Sequence, residues 1–147
     1  MRLIGLDLGK KRVGIAFCND QLGVVVPLDP FIVTRGLEVE LDRLCNLIEE
    51  YEPGLVIVGD PVALNGSAGI AAIWAREIAL AIGRRTEIAV VMVDERLSTR
   101  EAARTLGEIG VHGKRQRAKV DSSAAAVILG HYLDSSRSRD DDRHQQS

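Results

Sequence analysis

Leu3-Ile4-Gly5-Leu6-Asp7-Leu8-Gly9-Lys10-Lys11-Arg12-Val13-Gly14-Ile15-Ala16 is the stretch whose reading decides the fold. Its apolar run from Leu3 to Leu6 reads as a buried strand that delivers one carboxylate, Asp7, to a glycine-bracketed basic turn between Gly9 and Gly14. A second strand leaves that turn. An acid at a strand end, flanked by glycines, lies where the backbone can be approached closely, which suits a metal ion or a phosphate. An Asp that stabilises its own hairpin turn would look the same, so the stretch alone leaves both readings open.

Outward from it, Leu3–Asp7, Arg12–Cys18 and Val24–Val33 form three β-like runs joined by the short links Leu8–Lys11 and Asn19–Gly23, as in an antiparallel meander. Pro27 and Pro30 interrupt the third run and make it an edge strand. Across Leu37–Tyr51, Leu37, Leu41, Leu44, Cys45 and Ile48 recur at helical spacing, with acids and Arg43 on the other face, until Pro53-Gly54 ends the helix. The apolar run Leu55–Gly59 then reads as a buried parallel strand. The loop Asp60–Ser67 leads to a helix over about Ala68–Ile82, with Ile70, Ile73, Trp74 and Ile78 on one side, and Ile88–Val93 is the fifth strand. Ser98-Thr99-Arg100-Glu101 fits a capping box and opens a short helix ending near Gly107. Asp121–Leu133 is the last helix, and its Ala124, Ala125 and Ala126 allow close packing on the sheet. This order predicts an α/β fold with three antiparallel and two parallel strands covered by helices.

Composition narrows the function. The chain has 147 residues, which fits one domain over 1–133, followed by an apolar-poor tail, 134–147, expected to be disordered. Aromatic residues make up only 3%, which argues against nucleic-acid binding through rows of stacked rings. A formal charge of -2 excludes a globally basic binder, so a phosphate partner must be met by a local patch. Gly107–Lys119 provides one: Lys114, Arg115, Arg117 and Lys119 follow one another without an acid after Glu108. A solvated loop is the bland reading of that segment. Cys18 and Cys45 read as small buried hydrophobes rather than a disulfide framework or zinc site. The N-terminal residues read as a strand rather than a signal peptide and no apolar run approaches membrane-spanning length, so a cytoplasmic protein without a membrane partner is expected.

Acids stand at three stations: Asp7 ending the first strand, Asp94-Glu95-Arg96 ending the fifth, and Asp121 opening the last helix. Ligands of an open α/β sheet gather at the carboxyl ends of its parallel strands, so these acids can converge there. Converging carboxylates repel one another unless a divalent cation sits among them, and hard oxygen donors select Mg²⁺ or Mn²⁺. Two such ions about 4 Å apart would serve phosphodiester hydrolysis. Each station also has a plainer reading, with Asp121 a helix cap and Asp94 or Glu95 paired with Arg96 or Arg100.

Gly5–Ala16, Val56-Ile57-Val58-Gly59 with Pro61 and Gly66, Asp94–Thr99 with Ala102, and Asp121 with Ala124-Ala125 and Ile128-Leu129 together resemble the YqgF family, also called RuvX, a family of pre-16S ribosomal RNA nuclease type. The resemblance spans essentially all of 1–133. It implies a ribonuclease H-like α/β fold, a five-stranded mixed sheet in the order 3-2-1-4-5 with helices on both faces. It also implies kinship with Holliday junction resolvases and a role in maturing the 5′ end of 16S rRNA. Transferred residue by residue, it makes Asp7, Glu95 and Asp121 the catalytic, metal-binding acids, with Asp94 competing for the middle role. Strand alternation puts Asp94 and Glu95 on opposite faces, and the family match favours Glu95. Lys10, Lys11, Arg12 and Arg96 become phosphate-binding candidates, and Lys114, Arg115, Arg117 and Lys119 extend the nucleic-acid track.

One departure stands out. This chain has Asp60 after Gly59, where the family usually carries an apolar residue, and Asn65 where an Asp is common. Asp60 could join the metal site or cap its loop, and the loop is the preferred reading. Three functions compete: a metal-dependent ribonuclease acting on pre-rRNA, alone or on an assembling ribosomal particle; a resolvase of four-way DNA; and a non-catalytic RNA-binding assembly factor. A resolvase needs a two-fold dimer, whereas the sequence fits a monomer or weak dimer. A binder gains nothing from carboxylates that repel phosphate. Gly5-Leu6-Asp7-Leu8-Gly9 also resembles the phosphate loop of sugar kinases and actin-like ATPases, but those folds need two such domains.

Overall fold

The computed structural model describes residues 1–61, 69–94 and 124–136. Five strands form one sheet in the order β3-β2-β1-β4-β5. β1 (Arg2–Leu8), β2 (Arg12–Asn19) and β3 (Val24–Ile32) pair antiparallel, while β4 (Leu55–Asp60) and β5 (Ala89–Asp94) run parallel to β1. Both the mixed sheet and its order agree with expectation. β3 is an edge strand, as its prolines require, and its register slips between Val13 and Ile15.

Alternation along the strands divides the core into two layers. Ile4, Leu6, Leu8, Val13, Ile15, Val56 and Val58 face one side and pack with α1 (Leu41–Glu50) and α2 (Ile70–Thr86). Leu3, Ala16, Cys18, Leu55 and Ile57 face the other and pack with Ala125, Ile128 and Leu129 of the helical segment 124–136. Helices therefore cover both faces. The small residues of that segment have a direct use, because a Cβ on Gly5 would lie 2.9 Å from the Ala125 carbonyl oxygen and 3.2 Å from Leu129 Cβ. Close approach of helix to strand fully buries Ile128 and Leu129, each worth about 1.5–3 kcal/mol relative to exposure.

Several boundaries differ from expectation for identifiable reasons. α1 begins at Leu41 rather than Leu37. Gly36 has φ 114°, and the Glu40 carboxylate accepts the backbone N–H groups of Thr34 and Arg35, which holds a turn ahead of the helix. Leu37 is buried from that turn. α2 runs on to Thr86 and ends at Glu87, whose φ of 60° places it in the left-handed region. Its buried side is Ala72, Ala75, Ile78, Ala79 and Ile82, so Ile70 and Ile73 point to the exterior. The last helix continues to residue 136, past the expected boundary at 133. Loss of apolar spacing marks the end of burial, not the end of the helical backbone. The expected short helix after Ser98 and the residues from 137 on lie outside the described residues. No helix among the described residues is long and apolar enough to cross a membrane.

Candidate active site

Asp7 is the penultimate residue of β1, the central strand. It follows Gly5 by two residues and so lies on the face covered by 124–136. Its partner on β2 is Gly14, and the next step of the ladder to β4, after Leu6–Val58, brings Gly59 alongside. Asp7 thus stands, half-buried, between two strand positions that carry no side chain. No side chain projects beside it from either neighbouring strand at these two positions.

The turn that follows is tight. A Cβ on Gly9 would lie 2.5 Å from the Arg12 carbonyl oxygen, so this position admits only glycine without rearrangement. Arg12 shares the face of Gly14, Ala16 and Cys18, which is the face of Asp7, and it is half-buried. Lys10 and Lys11 are exposed at the tip. Lys10 Nζ lies 5.5 Å from the centroid of the Trp74 ring, and Trp74 Nε1 donates a 2.6 Å hydrogen bond to Glu38 Oε1. That hydrogen bond is the main cause holding the Glu38 carboxyl below its ordinary range, with Lys10 adding to it.

Two other acids end parallel strands, and both belong to the opposite face. Asp60 pairs in register with Asp94, and each continues the alternation of residues that pack against α1 and α2: Val56 and Val58 before Asp60, Val90 and Met92 before Asp94. The Asp60 Oδ2 accepts from Arg76 Nη2 at 2.9 Å and Nε at 3.2 Å. Among the described residues its Oδ1 is buried without a hydrogen-bond partner. Asp60 is therefore an ion-pair partner of α2 and stands apart from Asp7. The face of Asp94 likewise differs from that of Asp7.

Glu95, Asp121, Arg96, Lys114, Arg115, Arg117 and Lys119 lie outside the described residues. Among the described ones, no three His, Cys, Asp or Glu side chains come together in a metal-binding group. The sequence reading missed the Lys10–Trp74–Glu38 contact, which joins residues far apart in the chain. It also missed the Asp60–Arg76 pair, although counting from Val56 and Val58 already assigns Asp60 to the side of α1 and α2.

The RuvX family, described as Holliday junction resolvase, matches residues 1–135. A protein of Anaeromyxobacter sp. (strain Fw109-5) named "Putative pre-16S rRNA nuclease" is 41% identical over 134 residues, covering 91% of this chain and 97% of its own. A protein of the same name from Syntrophomonas wolfei is 38% identical, covering 91% and 94%. The fold is similar to that of RuvC from T. thermophilus in complex with a Holliday junction substrate, with TM-score 0.59, 14% identity and coverage of 90% of this chain and 94% of that one. These likenesses, over nearly the whole length of both proteins, establish that the chain belongs to the RuvX family.

Proposed function

We propose that this protein is a divalent-metal-dependent nuclease that hydrolyses phosphodiester bonds of RNA in the 5′-end maturation of pre-16S rRNA. The observation that carries the reading is the placement of Asp7. It ends the central strand of the sheet between two glycines, on the face opposite Asp60 and Asp94. The substrate follows the names of the relatives, which align along more than nine-tenths of their own length.

Asp7 offers a hard oxygen donor, and its chemistry fits Mg²⁺ or Mn²⁺. Glu95 and Asp121 are the acids assigned, from the family resemblance, to complete the set. Glu95 follows Asp94 in the chain, and continued alternation would turn it towards Asp7, which supports it over Asp94. The chemistry supplied by two such ions, when bound, is activation of a water and stabilisation of the leaving oxygen. The protein's own part is to orient the strand to be cut. Arg12, on the face of Asp7, and Arg96 hold phosphates next to the acids, while Lys10 and Lys11 at the turn and Lys114, Arg115, Arg117 and Lys119 steer the flanking backbone. A cytoplasmic protein, acting as monomer or weak dimer on pre-rRNA or an assembling ribosomal particle, fits this reading.

Resolution of four-way DNA is the second reading, favoured by the family's description and by the fold shared with RuvC. The test is cleavage of a labelled RNA carrying the 16S 5′ leader beside a four-way DNA junction, each with Mn²⁺, Mg²⁺ or chelator. Metal-dependent cutting of the RNA supports the ribonuclease, and symmetric nicking of the junction alone supports the resolvase. Equal RNA binding by the wild type and Asp7→Asn, with no cutting of either substrate, would replace both by an assembly factor.

A further inference from the structure

Several cations of the described part are held by carboxylates. Arg2, Arg43, Arg76 and Arg85 are each ion-paired, to Glu52, Glu40, Asp60 and Asp42 respectively. Lys10 is held differently. Its ammonium lies over a ring face, within electrostatic reach of the Glu38 carboxylate that holds the ring, and among the described residues it makes no ion pair. Arg43 also covers a ring, that of Phe31 at 4.3 Å, but its charge is met by Glu40 as well. A cation over an aromatic face keeps its full charge and its outward N–H donors, whereas an ion pair spends both.

Trp74 is itself fixed. It is half-buried on α2, packs against the core beneath that helix, and donates its indole N–H to Glu38 in the turn ahead of α1. Lys10 follows Gly9, where any Cβ would meet the Arg12 carbonyl oxygen, so the turn is closed tightly on its own backbone. Backbone and ring together restrict a long side chain that would otherwise sample many rotamers, and ordering it before binding lowers the cost of using it. Its position, three residues beyond Asp7, is at the carboxyl edge of the sheet, with its ammonium held on the α2 side of that edge, across from the Asp7 face.

We propose that Trp74 is a positioning residue for substrate binding: it presents the Lys10 ammonium to a phosphate of the nucleic acid flanking the Asp7 site. The inference rests on the nuclease reading given above. It assigns a role to a residue of α2 that touches neither the scissile group nor the acids.

The experiment measures affinity of the full chain for the labelled 16S-leader RNA over a range of salt, with Ca²⁺ replacing Mg²⁺ to suppress cleavage, in a double-mutant cycle. Lys10→Ala should lower the slope of log affinity against log salt by about 0.7 to 0.9, the effect of one lost phosphate contact. Trp74→Leu should weaken binding about two- to fivefold in the wild-type background and have no further effect in Lys10→Ala. Trp74→Phe, which retains a ring face, should lose less than Trp74→Leu and guards against a folding defect. Because Trp74 is the one tryptophan, its emission should change on RNA binding in the wild type and not in Lys10→Ala. An unchanged salt slope in Lys10→Ala, or equal losses from Trp74→Leu in both backgrounds, would overturn the proposal while leaving the nuclease reading intact. Absence of RNA binding by the wild type would overturn both.

Discussion

On one face of the sheet's carboxyl edge Asp7 stands between glycines, and on the other Asp60 and Asp94 stand side by side in register, with Arg76 reaching Asp60 from α2. All three are aspartates near the carboxyl ends of neighbouring strands that run parallel. Their surroundings differ because the side-chain period of a strand is two residues, so a shift of one position exchanges the face packed by 124–136 for the face packed by α1 and α2. The residue type therefore says little about the role of a strand-end acid. Counting from the buried residues before it says more.

The contrast can be broken most forcefully by removing the charge on either face. Asp7→Asn should reduce cleavage by at least about 10²-fold, while circular dichroism and thermal melting stay near those of the wild type. A comparable loss from Asp60→Asn would erase the distinction between the faces.

The packing that defines the Asp7 face should be nearly as sensitive. Gly5→Val places side-chain atoms where Ala125 O and Leu129 Cβ already crowd the strand, and overpacking of this kind costs about 1–3 kcal/mol. Urea denaturation would show it as a lower midpoint. An unchanged midpoint would mean that the helix is not seated on β1 as described.

A smaller effect is expected on the opposite face. Asp60→Asn removes one charge of a partly exposed pair with Arg76, and should cost about 1 kcal/mol without loss of cleavage. Least in size is the acid sensitivity of the turn ahead of α1. The Arg35 and Thr34 N–H groups, with the Thr34 hydroxyl and Arg43, hold the Glu40 carboxyl down to about 2. Its ionised form is favoured by folding, so this contribution is present above the ordinary carboxylate range and fades as pH falls from there towards 2. The difference in melting temperature between wild type and Glu40→Gln should accordingly shrink on acidification. A difference that grows on acidification would contradict the assigned partners.

Much of the fold was legible because its signals are local. The apolar runs predicted every strand, and Pro27 and Pro30 placed β3 at the edge. The strand order came from the family resemblance, since periodicity carries no information about which strands are neighbours. The buried face of α2 was misread because Ile70 and Ile73 look more core-like than Ala72, Ala75 and Ala79, yet close packing of a helix on a sheet selects the small residues. The start of α1 was misread because Leu37 keeps the apolar spacing from outside the helix, where Gly36 and Glu40 hold a turn. In the candidate site, Asp7 was visible as an acid closing an apolar run. Trp74 under Lys10 was not, since the contact is made by the fold across distant parts of the chain.

The central claim is that acids on the Asp7 face, and not those beside Asp60, form the working site. Cleavage of the 16S-leader RNA by Glu95→Gln and Asp94→Asn, with Mg²⁺ or Mn²⁺, tests it most directly. The account predicts background activity for Glu95→Gln and wild-type-like activity for Asp94→Asn. An inactive, folded Asp94→Asn beside an active Glu95→Gln would contradict it.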